Sequence, residues 1–223
     1  VNQSMIELNT SVHMSAESAY QELLELQEYL IEKCSGLNVG FCGGGIHPEQ
    51  HWKTQQTYPL PRYEELTNMY GYLAKQAAVF GQHVHIGCPS AEDALYLTHA
   101  FARYIPQLIA LSAASPFYEA VDTRYFSTRC VLFNGFPMSR VIPYLKNWQE
   151  FSAYFYTMRD WGIIENMKDV YWDVRPKPEF GTVEIRIFDT PLTLKKVTML
   201  AAYAQSLALY LLTERPFTLT ENL

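Results

Sequence analysis

Charge is scarce in this sequence. Asp, Glu, Lys and Arg make up 18% of its 223 residues, the net charge is −6, and no run of lysines or arginines appears. A nucleic-acid binder needs a basic face, so that class is excluded. Long hydrophobic runs are also missing. The longest apolar stretch, residues 197–212, carries Gln205 and Ser206 and falls short of the roughly 20 residues that a bilayer requires. The first ten residues show no basic segment followed by an apolar one, as a secretory signal would. Cysteine is sparse: Cys34, Cys42, Cys88 and Cys130 lie far apart with no CxxC pair. That spacing excludes a zinc knuckle and suits reduced thiols in a cytoplasmic protein. Neither a Walker loop, a GxGxxG turn nor a GxSxG elbow is present, so covalent catalysis by the protein is not expected.

What the sequence does have is core material: 48% hydrophobic and 14% aromatic residues. That is enough for one domain spanning residues 1–223 and excludes a disordered chain. The chain starts at Val1 and stops in a polar tail, residues 218–223, and we read it as part of a longer protein. Residues 4–10 alternate, which predicts a strand with Ile6 and Leu8 on one face and Glu7 on the other. Ser15 predicts a helix cap, with Ala19, Leu23, Leu26 and Leu30 as the apolar stripe of a helix reaching Cys34. Residues 37–42 and 82–88 read as strands, and residues 63–80 as a helix despite Gly71. Residues 91–114 read as one long helix with a kink at Pro106. Residues 122–137 read as a loop with short extended pieces, and residues 143–161 as helix. Residues 171–175 and 182–189 read as strands, and Thr193 caps a last helix. This apolar helix suits the core or, in a homo-oligomer, a subunit contact. The order lacks steady strand–helix alternation, which predicts an α+β fold with an antiparallel sheet and helices on one side.

Three segments could carry chemistry. In the strand at residues 182–189, Val183, Ile185 and Ile187 share one face, and Glu184 and Arg186 share the other. Asp173 and Arg175 repeat that acid–arginine spacing on a neighbouring strand. A solvated outer face with a cross-strand ion pair would give the same pattern. So would a wall in which carboxylates hold a divalent ion and arginines grip phosphate. His83 and His85 alternate with Val84 and Ile86 and so point to one side, which also matches the HxH metal pair of an amidohydrolase. The Gly43-Gly-Gly45 run predicts a tight turn with close backbone approach. The candidate arginines are Arg62, Arg124, Arg129 and Arg140, and the better ones are Arg62 beside Tyr63 and Arg129 in Phe126-Ser-Thr-Arg129.

Taken in order, these segments resemble the carboxylate–amine ligases of the glutamate–cysteine ligase type 2 family. The resemblance rests on Ser4-Met-Ile-Glu7, Cys42-Gly-Gly-Gly-Ile-His-Pro48, Arg62-Tyr63, Val79-Phe-Gly-Gln-His-Val-His-Ile-Gly87 and Ala110-Leu-Ser-Ala-Ala-Ser-Pro116. It continues through Asp122-Thr-Arg124, Trp172-Asp-Val-Arg-Pro176, Gly181-Thr-Val-Glu-Ile-Arg186, Asp189-Thr-Pro-Leu-Thr193 and Leu212-Thr-Glu-Arg-Pro-Phe217. It implies a glutamine-synthetase-like catalytic fold with a curved antiparallel sheet, truncated here at both ends. The implied reaction is ATP- and Mg²⁺-dependent amide formation through an acyl phosphate, with weak glutamate–cysteine ligase activity. By resemblance Glu7, Glu184 and His83 are metal ligands, and His83 also contacts phosphate. Arg186 is a phosphate clamp, Arg129 and Arg62 hold the substrate carboxylate or the acyl phosphate, and His85 lines the same cleft. Two other classes remain open: a metal-dependent hydrolase built on His83 and His85, and a non-catalytic homologue.

Overall fold

The computed structural model describes residues 2–76 and 78–218. Val1, Ala77 and residues 219–223, which take in most of the polar tail, lie outside them. In chain order the elements are α1 (Ala16–Cys34), α2 (Pro61–Tyr70), α3 (Tyr72–Gln76), β1 (Gly81–Gly87), α4 (Ala91–Ala102) and α5 (Ile105–Ser112). Then follow β2 (Phe117–Tyr118), β3 (Val121–Asp122), α6 (Thr128–Phe133), β4 (Ser139–Arg140) and α7 (Trp148–Asp160). The last are β5 (Tyr171–Trp172), β6 (Val174–Lys177), β7 (Thr182–Asp189) and α8 (Leu194–Glu214). This mixture of helices and an antiparallel strand pair is the expected α+β class.

The chain divides into two compact units. One comprises Val1–Gln82, Ser112–Leu132 and Asp189–Tyr203; the other comprises His83–Leu111, Phe133–Phe188 and Ala204–Leu223. In the second unit a three-stranded sheet runs in the order β1-β7-β6. Strands β6 and β7 pair antiparallel, with Val174 opposite Ile185 and Arg175 opposite Glu184. A short 3-10 turn ends at Gly181, which takes a left-handed conformation (φ 63°) and lets the chain reverse. Val183 and Ile185 are fully buried on one sheet face, and α4 packs on β6. Ser90 caps α4 by accepting from the Asp93 N–H, as a serine does at that position. Leu95 joins Ile142, Leu145, Phe151, Ile164, Met167, Val170 and Trp172 in the core of this unit.

His99 of α4 is buried there, and its Nε2–H donates to the Leu145 carbonyl at 3.1 Å. Burial pushes the imidazole below its ordinary pKa, against the upward pull of that hydrogen bond. The folded state therefore holds His99 neutral while the unfolded chain protonates it near pH 6.5. Stability from this residue is present above that value and is lost as the pH falls below it. The urea midpoint should drop between pH 7.5 and 5.5, and by less in His99→Gln; equal drops would refute the assignment.

Several boundaries differ from the sequence reading. Residues 4–10 and 37–42 form no strand; isolated bridges lie nearby, Asn2 to Thr57 beside the first and Gly44 to Thr190 and Ile46 to Val79 after the second. The Asn2 side chain accepts from the Ser4 N–H and turns the chain there. Gly71, at φ 52°, breaks the helix expected over 63–80 into α2 and α3, and residues 78–80 are not helical. The long helix near Pro106 is two helices, α4 and α5, and the loop before Pro137 contains α6. Helix α7 begins only at Trp148, where Asn147 caps it. Helix α1 forms as expected, yet none of its residues is buried. In α8 the residues Leu200, Ala204, Ala208 and Leu211 are buried, as a core stripe requires.

Candidate functional site

Strand periodicity sets one cluster in the second unit. Residues two apart on β7 point the same way, so Glu184 and Arg186 share a face, and the β6–β7 register puts Arg175 directly across from Glu184. This is an ion pair, as one reading of the sequence had it, but not a solvated one: Glu184 is 3% exposed and Arg175 4%. Arg175 Nε donates to Glu184 Oε2 at 2.7 Å, and Arg186 Nη1 donates to Oε1. Arg175 also donates from Nη1 to the Met167 carbonyl at 2.6 Å and to the Val170 carbonyl. The fork geometry of guanidinium makes that three-way bond; an ammonium would not hold it.

The imidazoles stand at the outer side of this cluster. His83 Nδ1 lies 3.5 Å and His85 Nε2 4.0 Å from Glu184 Oε1. His85 Nδ1 meets the Thr182 hydroxyl at 2.9 Å. The Phe180 and His85 rings meet edge to face, with their centroids 5.7 Å apart. Lys177, buried on β6, pairs with Glu179 at 3.1 Å. Burial alone would raise the Glu184 pKa, but Arg186 and Arg175 outweigh it and hold the carboxyl down at about 2. Burial lowers the pKa of His85, with Glu184 pulling the other way. The cluster thus offers solvent two imidazole edges above a fixed carboxylate–guanidinium network.

That network fits an anion better than a resident cation. Both oxygens of Glu184 are already taken by guanidinium groups, and two fixed positive charges repel a divalent ion. Among the described residues no three His, Cys, Asp or Glu side chains converge as a metal-ligating group. Phosphate oxygens, by contrast, suit guanidinium and imidazole donors.

Of the remaining sequence candidates, Glu7, His47, Arg62, Arg124 and Arg129 lie in the first unit, and Arg140 and Asp173 in the second. Glu7 is exposed on an irregular segment, and Arg62 is half-buried in the first turn of α2. Arg129 is buried in α6. Its guanidinium lies against Gly81, where an added Cβ would sit 2.3 Å from Nη2. Asp173 is tied in through its backbone: its N–H donates to the Arg140 carbonyl and its carbonyl accepts from the Arg186 N–H. Arg124 and Arg140 are exposed. His47 accepts from the Glu49 and Gln50 N–H groups and holds its own turn. The sequence reading missed Thr182 as a partner of His85, and Lys177; the Thr182-to-Asp189 alternation could have shown the first.

A model of the glutamate–cysteine ligase family 2 (GCS2) matches residues 1–223. This chain belongs to that family. Its relatives include "Putative glutamate--cysteine ligase 2-1" of Legionella pneumophila (strain Corby), 58% identical over 223 residues, with all of this chain and 58% of the relative covered. Similarly named proteins are 50% identical in Ralstonia pickettii (strain 12J), over all of this chain and 59% of the relative. In Chromobacterium violaceum the identity is 52%, over 93% of this chain and 55% of the relative. The chain therefore spans less than two thirds of the length of these relatives. The family label is that of a ligase. Among the described residues, no helix is long and apolar enough to cross a membrane.

Proposed function

We propose that this chain carries part of the catalytic domain, residues 1–223, of a cytoplasmic ATP-dependent carboxylate–amine ligase with a glutamine-synthetase-like fold. Its amide-forming activity toward glutamate and cysteine is weak. Family membership supports the reaction class. The observation that carries the reading is the buried Glu184 anchoring Arg186 and Arg175 with His83 and His85 alongside.

In this reading the nucleotide enters as its magnesium complex, so the ion is part of the substrate. A carboxylate oxygen of the first substrate attacks the γ-phosphorus, the bond to the β-phosphate oxygen breaks, and ADP leaves. The nitrogen of the amine substrate then attacks the acyl carbon, phosphate departs, and the amine loses a proton. Such a reaction needs charge stabilisation more than a protein nucleophile. Arg186 neutralises charge on the moving phosphoryl group, and the imidazoles of His83 and His85 donate to phosphate oxygens. Glu184 fixes the guanidinium orientation. Arg129 and Arg62 take the substrate carboxylate or the acyl phosphate. Glu7 is assigned to the magnesium complex by resemblance alone.

The test is ADP release by the full-length protein with panels of carboxylates and amines, glutamate and cysteine among them. Residues 1–223 alone are expected to bind MgATP poorly and turn over little. No ADP release with any pair would refute the ligase reading. A stoichiometric, chelator-resistant zinc would favour a hydrolase, although His13, His47, His51 and His99 are engaged elsewhere, with Glu22, the backbone of residues 49–50, Lys53 N–H and the Leu145 carbonyl.

A further inference from the structure

We propose that Asp189 is the positioning residue for Arg129, an inference that rests on the reading of Arg129 as a substrate-carboxylate holder. Asp189 ends β7 and is fully buried in the first unit. Its carboxylate is a hub for segments far apart in the sequence. Oδ2 accepts from the Ala114 N–H at 2.9 Å and the Ser115 hydroxyl at 2.7 Å; Oδ1 accepts from the Ser127 hydroxyl at 2.9 Å. The Asp189 N–H donates to Ser112 Oγ at 3.2 Å.

The hub reaches Arg129 by two routes. Ser115 Oγ, while donating to Asp189, accepts from the Arg129 N–H at 3.2 Å. Ser127, two residues before Arg129, is held by Oδ1. Backbone bonds lock the same pieces together: the Ser115 N–H donates to Phe126 and the Thr128 N–H donates to Ser115. Gly45 leaves no freedom on the other side, because a Cβ there would stand 2.6–2.8 Å from the Asp189 carboxylate. The first turn of α6 is thus fixed through one carboxylate, and the guanidinium that α6 carries lies on Gly81. A buried acid is costly unless its acceptor sites are filled, and here the donors that fill them come from the segment leading into α6 and the one paired with it.

Asparagine has the same shape as aspartate. Its oxygen can face Ala114 and Ser115 while its amide donates to Ser127, whose hydroxyl rotates to accept. Asp189→Asn should therefore fold and lose only the charge and one bond polarity, whereas Ser115→Ala cuts the link to Arg129 directly. In the full-length protein, Ser115→Ala is expected to raise the KM for the carboxylate substrate at least tenfold, leaving the KM for ATP unchanged. Asp189→Asn should shift the same constant in the same direction. Combined with Arg129→Lys, neither should cause a loss beyond that of Arg129→Lys alone. Additive losses, or a fall in kcat alone that tracks a lowered urea midpoint, would make Asp189 a structural residue and overturn the proposal. Wild-type carboxylate KM in Arg129→Lys would instead refute the role given to Arg129, and the proposal with it.

Discussion

Glu184→Gln is expected to reduce ADP release by the full-length protein by about 10²–10³-fold, the usual loss when a preorganised charge partner is removed, and to destabilise the fold. Glutamine keeps the shape but not the charge, and its amide turns a donor toward a guanidinium that has only donors to offer. Arg175, 4% exposed, would then lie buried without its counter-charge. Breaking a buried pair in this way costs about 3–5 kcal/mol, visible as a lower urea midpoint. Arg186→Lys separates the two effects, because it keeps the positive charge and loses only the fork: activity should fall while the midpoint changes little. Wild-type ADP release in Glu184→Gln would remove the central residue from the proposed reaction.

The same carboxylate gives an acid signature. Its folded pKa is held down at about 2, whereas an unfolded glutamate titrates near 4.3. The unfolded state therefore binds more protons in that interval. Glu184's contribution is complete above about pH 4.3 and is lost as the pH falls toward 2, a change on the order of 3 kcal/mol. Wild-type stability should fall through that window, with this component missing from Glu184→Gln.

Gly43→Ala is expected to be the most damaging small substitution. A Cβ at Gly43 would stand 2.1 Å from the Pro191 carbonyl oxygen, 2.9 Å from its carbon and 3.0 Å from Leu192 Cα. All three are backbone atoms, so no side chain can swing away. The two segments cannot part easily either: Gly44 bridges to Thr190, the Gly45 N–H donates to Ala114, and the Phe80 N–H donates to Gly45. Overpacking of this kind costs about 3 kcal/mol at the upper end of its usual range. Gly36→Ala is the control, since nothing lies within 4 Å of the added carbon. A Gly43→Ala urea midpoint equal to that of Gly36→Ala would show that the turn yields.

The sequence displayed the parts of the site that follow from local periodicity. Alternation put Glu184 with Arg186 and His83 with His85, and the structure brings these four together in one unit. The glycine run forecast the close backbone approach at Gly43 and Gly45. Alternation failed at residues 4–10 and 37–42 because a strand needs a neighbour to accept its hydrogen bonds, and no pattern within the segment says whether one arrives. The burial of Glu184 was hidden for a related reason. A charged residue in an alternating strand reads as outward-facing until Arg175, with its bonds to the Met167 and Val170 carbonyls, is known to close over it. Asp189 was least visible of all, since its partners lie 62–77 residues away in the chain.

Helix α1 stands apart from this tightly determined interior. It is 19 residues long and buries none of them, so its register is held by its serine cap and by bonds at its own N-terminal end. Surface changes away from such anchors alter stability by only about 0.5 kcal/mol. The outward positions of this helix are therefore where the fold can absorb mutational drift, or carry an attached label or affinity handle, at little expected cost in stability.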